Sequence, residues 1–272
     1  MTEPLHAYGL PSDVLVWQAV FITVLSFAVG VLGGFVGLAL GTVRLPAMLL
    51  LGMPVVLAGG TNILVSTLSA AAGSLGHARE RRVDRGLVLW MGIPSALGGL
   101  LGGLLAGVVD QGLLLAIVGA FVLWQAVEFV MLSRRREALT PRRGVLRGRL
   151  GIEAGVGLVI GLLGGAAGLI LGAVRLPVLV RLLGSDPRVA AGSNLFIGML
   201  TGVAGWVGHV AIGEVDYPLL VLLAVSGMVG QLVGARWTGR APRRVLLATM
   251  AAVLVVVGML LLRDGVVRLA GR

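Results

Sequence analysis

Arg44 and Arg175 each lie inside an apolar run, two residues ahead of a proline, Pro46 or Pro177. Arginine at the centre of a membrane-spanning helix costs about 2.5–3.5 kcal/mol on insertion scales, so two such residues at matching positions need a compensating role. A guanidinium is a planar fork of five donors that suits the oxygens of an oxyanion. No acid lies in the adjacent runs; Glu128 and Glu153 sit near run ends and Asp110 in a turn. Arg44 and Arg175 are therefore candidate anion ligands. The alternative is an arginine that snorkels to an interface or caps a carbonyl.

Asn62 and Asn194 lie one turn into the third run of each half, preceded by Thr61 and Ser193. Their amides and hydroxyls could cap a helix or donate to an anion's oxygens. These four join the arginines as candidate substrate-binding residues. His77 and His209 follow fifteen residues later, about 22 Å along a helix. That is too far to share a ligand with Asn62 or Asn194. Capping or packing at an interface is one reading of the histidines, and gating or proton coupling the other. There are no cysteines and the three histidines are scattered, so no metal site and no cofactor is expected.

These residues stand in a chain of 272 residues with mean hydropathy +1.02, 57% hydrophobic and 12% charged. Ordinary soluble domains are about 25% charged, so most of this surface must face lipid. At about 20 residues per spanning helix, the length allows roughly eight to ten crossings. Met1 to Asp13 contain no Lys or Arg and no small-residue cleavage site follows, so the first helix is expected to stay in the membrane.

The chain repeats itself. Residues 30–46 (GVLGGFVGLALGTVRLP) and 161–177 (GLLGGAAGLILGAVRLP) share twelve of seventeen positions. A second block, 59–84 against 191–216, keeps Asn62/Asn194, Gly73/Gly205, His77/His209 and Asp84/Asp216. The organisation expected is a first transmembrane repeat over 1–133, an Arg-rich cytoplasmic linker over 134–150, and a second repeat over 151–272.

Net charge is +10 and all 22 Lys and Arg residues are Arg, most of them clustered at 79–85, 134–149 and 236–244 between apolar runs, with Arg263, Arg268 and Arg272 as exceptions near the C-terminus. That distribution is the positive-inside signature rather than a nucleic-acid footprint. Loop 78–86 carries four Arg, whereas its repeat equivalent 210–217 carries Glu214 and Asp216 and no base. Homologous loops of opposite bias belong on opposite sides of the membrane, which requires an odd number of crossings per half. The fold expected is all-α and polytopic, with two inverted repeats of about five segments and the second segment of each half broken at Arg-Leu-Pro. Both termini would be outside and Arg44 and Arg175 would meet near mid-membrane. Glycines spaced by four, such as Gly33/Gly37/Gly41, Gly98/Gly102 and Gly230/Gly234, would allow close helix packing.

The order of these motifs resembles the TauE/SafE sulfite exporter family. It is carried by Gly37 to Pro46, Thr61-Asn62, Gly73 to His77 and Val83-Asp84, and again by Gly168 to Pro177, Ser193-Asn194, Gly205 to His209 and Val215-Asp216. The resemblance implies a multi-pass inner-membrane permease for sulfite, organosulfonates or related anions. Arg44 and Arg175 replace residues usually apolar in the family, which points to a larger or more strongly charged anion, such as a sulfocarboxylate. Another small organic anion, a mono- or dicarboxylate, is the alternative substrate. An enzyme is disfavoured, because no nucleophile, base and orienter converge. A metal permease would need carboxylates or several His at mid-membrane. The expected partners are the anion and the bilayer, without nucleic acid, and a homodimer is compatible with this reading.

Overall fold

The computed structural model describes residues 3–4, 12–53, 55–105, 110–134, 149–167, 170–209 and 215–270. These form ten helices, five from each half. In the first half they are α1 (Val16–Val36), α2 (Gly41–Leu50), α3 (Val55–Arg79), α4 (Arg85–Leu104, with a π turn over Val88–Gly92) and α5 (Gln111–Arg134). In the second they are α6 (Arg149–Ala167), α7 (Gly172–Pro177, extended by a π turn over Val178–Leu182), α8 (Pro187–His209), α9 (Tyr217–Arg240) and α10 (Arg243–Ala270). Most of the Arg-rich linker, and residues 210–214 of the acidic loop, lie outside the described residues.

Among the described residues, α1, α4, α8, α9 and α10 contain segments long and apolar enough to cross a membrane. Their outer faces are apolar as well. Ile93, Leu97, Leu101 and Leu104 recur about every turn along α4, and Val221, Val225 and Val229 along α9, all exposed. In water such stripes would be unfavourable; against lipid they are the required surface. The protein is a multi-pass α-helical membrane protein.

Glycine decides which helices meet. A Cβ placed on Gly34 would lie 2.1 Å from the Gln231 carbonyl oxygen, and one on Gly230 would lie 2.3 Å from that of Phe27. Gly30 against Gly227 and Gly234 against Val31 complete the seam. Backbones approach this closely only where side chains are missing, so α1 and α9 run parallel in tight contact. The same device joins α4 to α6, where a Cβ on Gly98 or Gly161 would meet the carbonyl of Leu158 or Ser95. The helices α1 and α6 are repeat equivalents, as are α9 and α4. Each seam thus mirrors the other.

The mirroring extends to hydrogen bonds. The Asp216 amide donates to Thr61 Oγ1 (3.1 Å), and the Asp84 amide donates to Ser193 Oγ (2.9 Å). Each half lends a hydroxyl to the helix start of the other, which its aspartate also caps: Asp84 Oδ1 accepts from Gly86 and Leu87, and Asp216 Oδ1 from Leu219. Such reciprocity is the pattern of two units related by a two-fold axis. The two contacts sit at opposite ends of the bundle. At one end Arg82 reaches the Ala235 carbonyl and Arg188 that of Ala241. At the other, Ser12 donates to Asp216 and Gln18 to the Leu51 carbonyl.

The expected break in the second segment falls elsewhere than at the proline. After α1 the chain turns at Gly37, whose φ of 81° is open to glycine and costly for other residues. It runs without helix to Leu40, and Arg44-Leu45-Pro46 then lies within α2. Likewise Arg175-Leu176-Pro177 belongs to α7, which the π turn continues beyond the proline. Each proline is the sixth residue of its helix, past the first turn, so each removes one backbone donation without ending the helix; after Pro177 the chain passes directly into the π turn. Ten residues of α2 span about 15 Å, half the hydrocarbon thickness of about 30 Å.

Candidate functional site

Arg44 and Arg175 are almost wholly buried, at 1% and 0% exposure. Neither snorkels. Nη1 of Arg44 donates to Asn62 Oδ1 at 3.3 Å, and Asn62 Nδ2 donates to the Gly41 carbonyl at 3.1 Å. The second half repeats this: Nη1 of Arg175 donates to Asn194 Oδ1 at 3.3 Å, and Asn194 Nδ2 to the Gly172 carbonyl at 3.2 Å. Each asparagine thus ties an arginine to the start of its own short helix. Asn194 Nδ2 also donates to the Gly37 carbonyl at 2.7 Å, crossing to the other half at its sharp turn. Among the described residues neither arginine pairs with a carboxylate, unlike Arg82 with Glu80 and Arg268 with Asp264.

The arginines do not share a partner. Arg44 lies where α1, α3 and α9 meet: a Cβ on Gly227 would be 3.7 Å from its Nη2, and also near Ser26 and Ser69. Arg175 lies between α4 and α8. Its Nη2 donates to Ser95 Oγ (3.1 Å), and Ser95 is bonded to Thr201 Oγ1 (3.0 Å). Its Nη1 additionally reaches the Asn194 carbonyl at 3.4 Å. Each guanidinium is therefore held within its own group of helices, on either side of the packed pair α3 and α8.

Of the remaining candidates, Thr61 and Ser193 are fully buried and occupied by the two aspartate amides. Their hydroxyls brace the helices instead of facing the arginines. His77 is 0% exposed, with Nε2 2.9 Å from the Gly34 carbonyl at the end of α1. The side chain of His209 lies outside the described residues.

Several polar groups around Arg44 escaped the reading of the sequence. Ser66 and Ser69 follow Asn62 at helical spacing, and Gln231 enters from α9; all are buried. Ser66 Oγ, Ser69 Oγ, Gln231 Oε1, His77 Nδ1 and the Nε of both arginines have no hydrogen-bond partner among the described residues. A cavity of about 10 Å³, room for one water, is lined by Gly41, Thr42, Asn62, Ser66 and Ile170. The spacing 62, 66, 69 on an otherwise apolar or small helix was the available signal.

Comparison with known proteins agrees with this architecture. The chain is 24% identical over 270 residues to the probable membrane transporter protein YunE of Bacillus subtilis, covering 91% of this chain and 98% of that one. It is 26% identical over 259 residues to the probable membrane transporter protein YdhB of the same organism, covering 89% and 99%. Against the probable membrane transporter protein ORF9 of Sinorhizobium the identity is 25% over 249 residues, with 90% and 92% covered. No solved structure matches. The profile of the sulfite exporter TauE/SafE family matches residues 22–261. With ten helices, lipid-facing apolar stripes and these relatives along nearly its whole length, the chain belongs to the sulfite exporter TauE/SafE family and is a multi-pass transporter of the plasma membrane.

Proposed function

We propose that the transporter is a secondary carrier that exports a small sulfur-containing anion, sulfite or an organosulfonate such as sulfoacetate, across the inner membrane. Two buried guanidinium groups without a carboxylate partner among the described residues carry this reading. Each leaves a region of positive potential at low dielectric, where an anion is attracted far more strongly than in water. Arg44 and Arg175 supply the charge, and Asn62 and Asn194 hold the forks in place; Asn62 has a second amide hydrogen to offer the anion, whereas Asn194 would give up its bond to the Gly37 or Gly172 carbonyl to do so. A sulfonate has three acceptor oxygens and no donor, so it matches guanidinium and amide groups without leaving a donor unpaired.

The reading is tested by calorimetry and proteoliposome flux on wild type, Arg44→Gln and Arg175→Gln. Sulfite, sulfoacetate, taurine and dicarboxylates serve as probes. A hydrogen bond to a charged group contributes about 1.5–3 kcal/mol, so the relevant variant should bind sulfite or sulfoacetate roughly tenfold to a hundredfold more weakly. Unchanged affinity and flux in both folded variants would overturn the reading. A wild type that selects dicarboxylates over the sulfur anions would move the substrate to that class.

A further inference from the structure

The two halves match in sequence and fold, yet their polar interiors differ. Along α3 one face carries Asn62, Ser66, Ser69, Gly73 and His77, spaced four, three, four and four residues apart, so they stack in line. Contacts fix what each faces. A Cβ on Gly41 would lie 2.2 Å from Ser66 Oγ, one on Gly227 2.6 Å from Ser69 Oγ, and one on Gly73 2.8 Å from Gln231 Oε1. The line therefore runs between α3 and its neighbours α2 and α9, from Arg44 to the end of the bundle that bears Arg79–Arg85. Along it, Arg44 Nε, Ser66 Oγ, Ser69 Oγ, Gln231 Oε1 and His77 Nδ1 all lack a partner among the described residues.

The equivalent face of α8 carries Asn194, Gly198, Thr201 and Gly205. Ser66 becomes Gly198, which faces Ile170, and Gln231 becomes Gly99. Ser69 becomes Thr201, whose hydroxyl is bonded to the Ile197 carbonyl and to Ser95. Gly227 becomes Ser95, which accepts from Arg175. Arg175 Nε is unpartnered as Arg44 Nε is, but at the positions equivalent to Ser66, Ser69 and Gln231 the second half thus closes what the first half leaves open. An unpartnered buried polar group costs about 1–3 kcal/mol, and five in one file are not an incidental outcome of packing.

We propose that transport is one-sided. The anion and its accompanying water pass along the α3 face from Arg44 by Ser66, Ser69, Gln231 and His77 to the Arg-rich end, whereas beside Arg175 the mutually bonded hydroxyls of Ser95 and Thr201 close the corresponding face. The proposal rests on the anion-carrier reading above, and names the path which that reading leaves undefined. The file mixes donors and acceptors, so hydration satisfies all of it when the helices part, and the arginines at its mouth favour negative charge.

The absence of cysteine allows a direct test. Single cysteines at Ser66, Ser69, Ser95 and Thr201 are exposed in membrane vesicles to 2-sulfonatoethyl methanethiosulfonate, a small reagent that itself carries a sulfonate. Cysteines at 66 and 69 should react at least about tenfold faster than those at 95 and 201, and sulfoacetate should slow them. Equal rates in the two halves, or no reaction at 66 and 69, would overturn the one-sided path. These rates report water access, so they can fail while weakened anion binding by Arg44→Gln and Arg175→Gln still stands, and the reverse. Should a cysteine variant not fold, the Ser66→Ala/Ser69→Ala protein decides. Removing unpartnered hydroxyls should leave the melting temperature unchanged or higher while sulfoacetate flux falls about tenfold; unchanged flux would overturn the path.

Discussion

Thr61→Val tests whether the hydroxyls beside the asparagines serve structure or substrate. Valine keeps the shape of threonine and deletes the acceptor. The amide of Asp216, a residue only 6% exposed, then loses the partner now 3.1 Å away. A buried donor left unsatisfied costs about 1–3 kcal/mol, so about 2 kcal/mol is expected. The mirror contact differs, because Asp84 is exposed and water can replace Ser193 Oγ; Ser193→Ala should cost about 0.5–1 kcal/mol. The two lie at opposite ends of the bundle, so their effects should add. For a protein of this size each kcal/mol moves the melting temperature by about 2–4 °C, which gives about 4–8 °C for Thr61→Val and roughly 1–4 °C for Ser193→Ala. The assay is thermal unfolding in detergent followed by tryptophan fluorescence, paired with sulfoacetate binding. An unchanged melting temperature for Thr61→Val combined with weakened binding would refute the bracing role and return Thr61 to the substrate.

Two further outcomes follow from the same geometry. Gly34→Ala or Gly230→Ala should abolish a stable fold, since the added methyl meets a backbone carbonyl at 2.1 or 2.3 Å; Gly155→Ala, with nothing within 4 Å, should be neutral or slightly stabilising in circular dichroism melts. Cysteines at Glu80 and Tyr217, exposed at opposite ends of the bundle, should react with an impermeant thiol reagent from opposite sides of the membrane, and labelling of both from one side would refute the inverted arrangement.

The legible parts of this protein were those written twice. Arg44/Arg175 and Asn62/Asn194 could be paired in the sequence because the repeat aligns them, and the structure bonds each arginine to its own asparagine. The polytopic α-helical class followed from hydropathy, which depends on composition alone. What the sequence concealed depends on which faces meet. Thr61 and Ser193 suggested a cap or a ligand, but their partners lie in the other half, over a hundred residues away. Proline drew attention to Arg-Leu-Pro as the break, whereas the left-handed turn at Gly37 ends the preceding helix. Repeat comparison also favoured what the halves share, so Ser66, Ser69 and Gln231 went unnoticed because their equivalents are Gly198, Thr201 and Gly99.

The parallel seam between α1 and α9 bears on how the chain is made. During synthesis α1 enters the bilayer long before α9 exists, and it waits there with Gly30 and Gly34 uncovered and Gln231 still to come. Until α9 inserts, this helix lacks the partner its glycines fit in the folded protein, and the Asp84 amide likewise awaits Ser193. The α1 seam is therefore closed late, whereas that of α4 with α6 can close as soon as α6 inserts. The same interdependence means that separately expressed halves should recover one another inside a bilayer, each completing the other's unfinished seam.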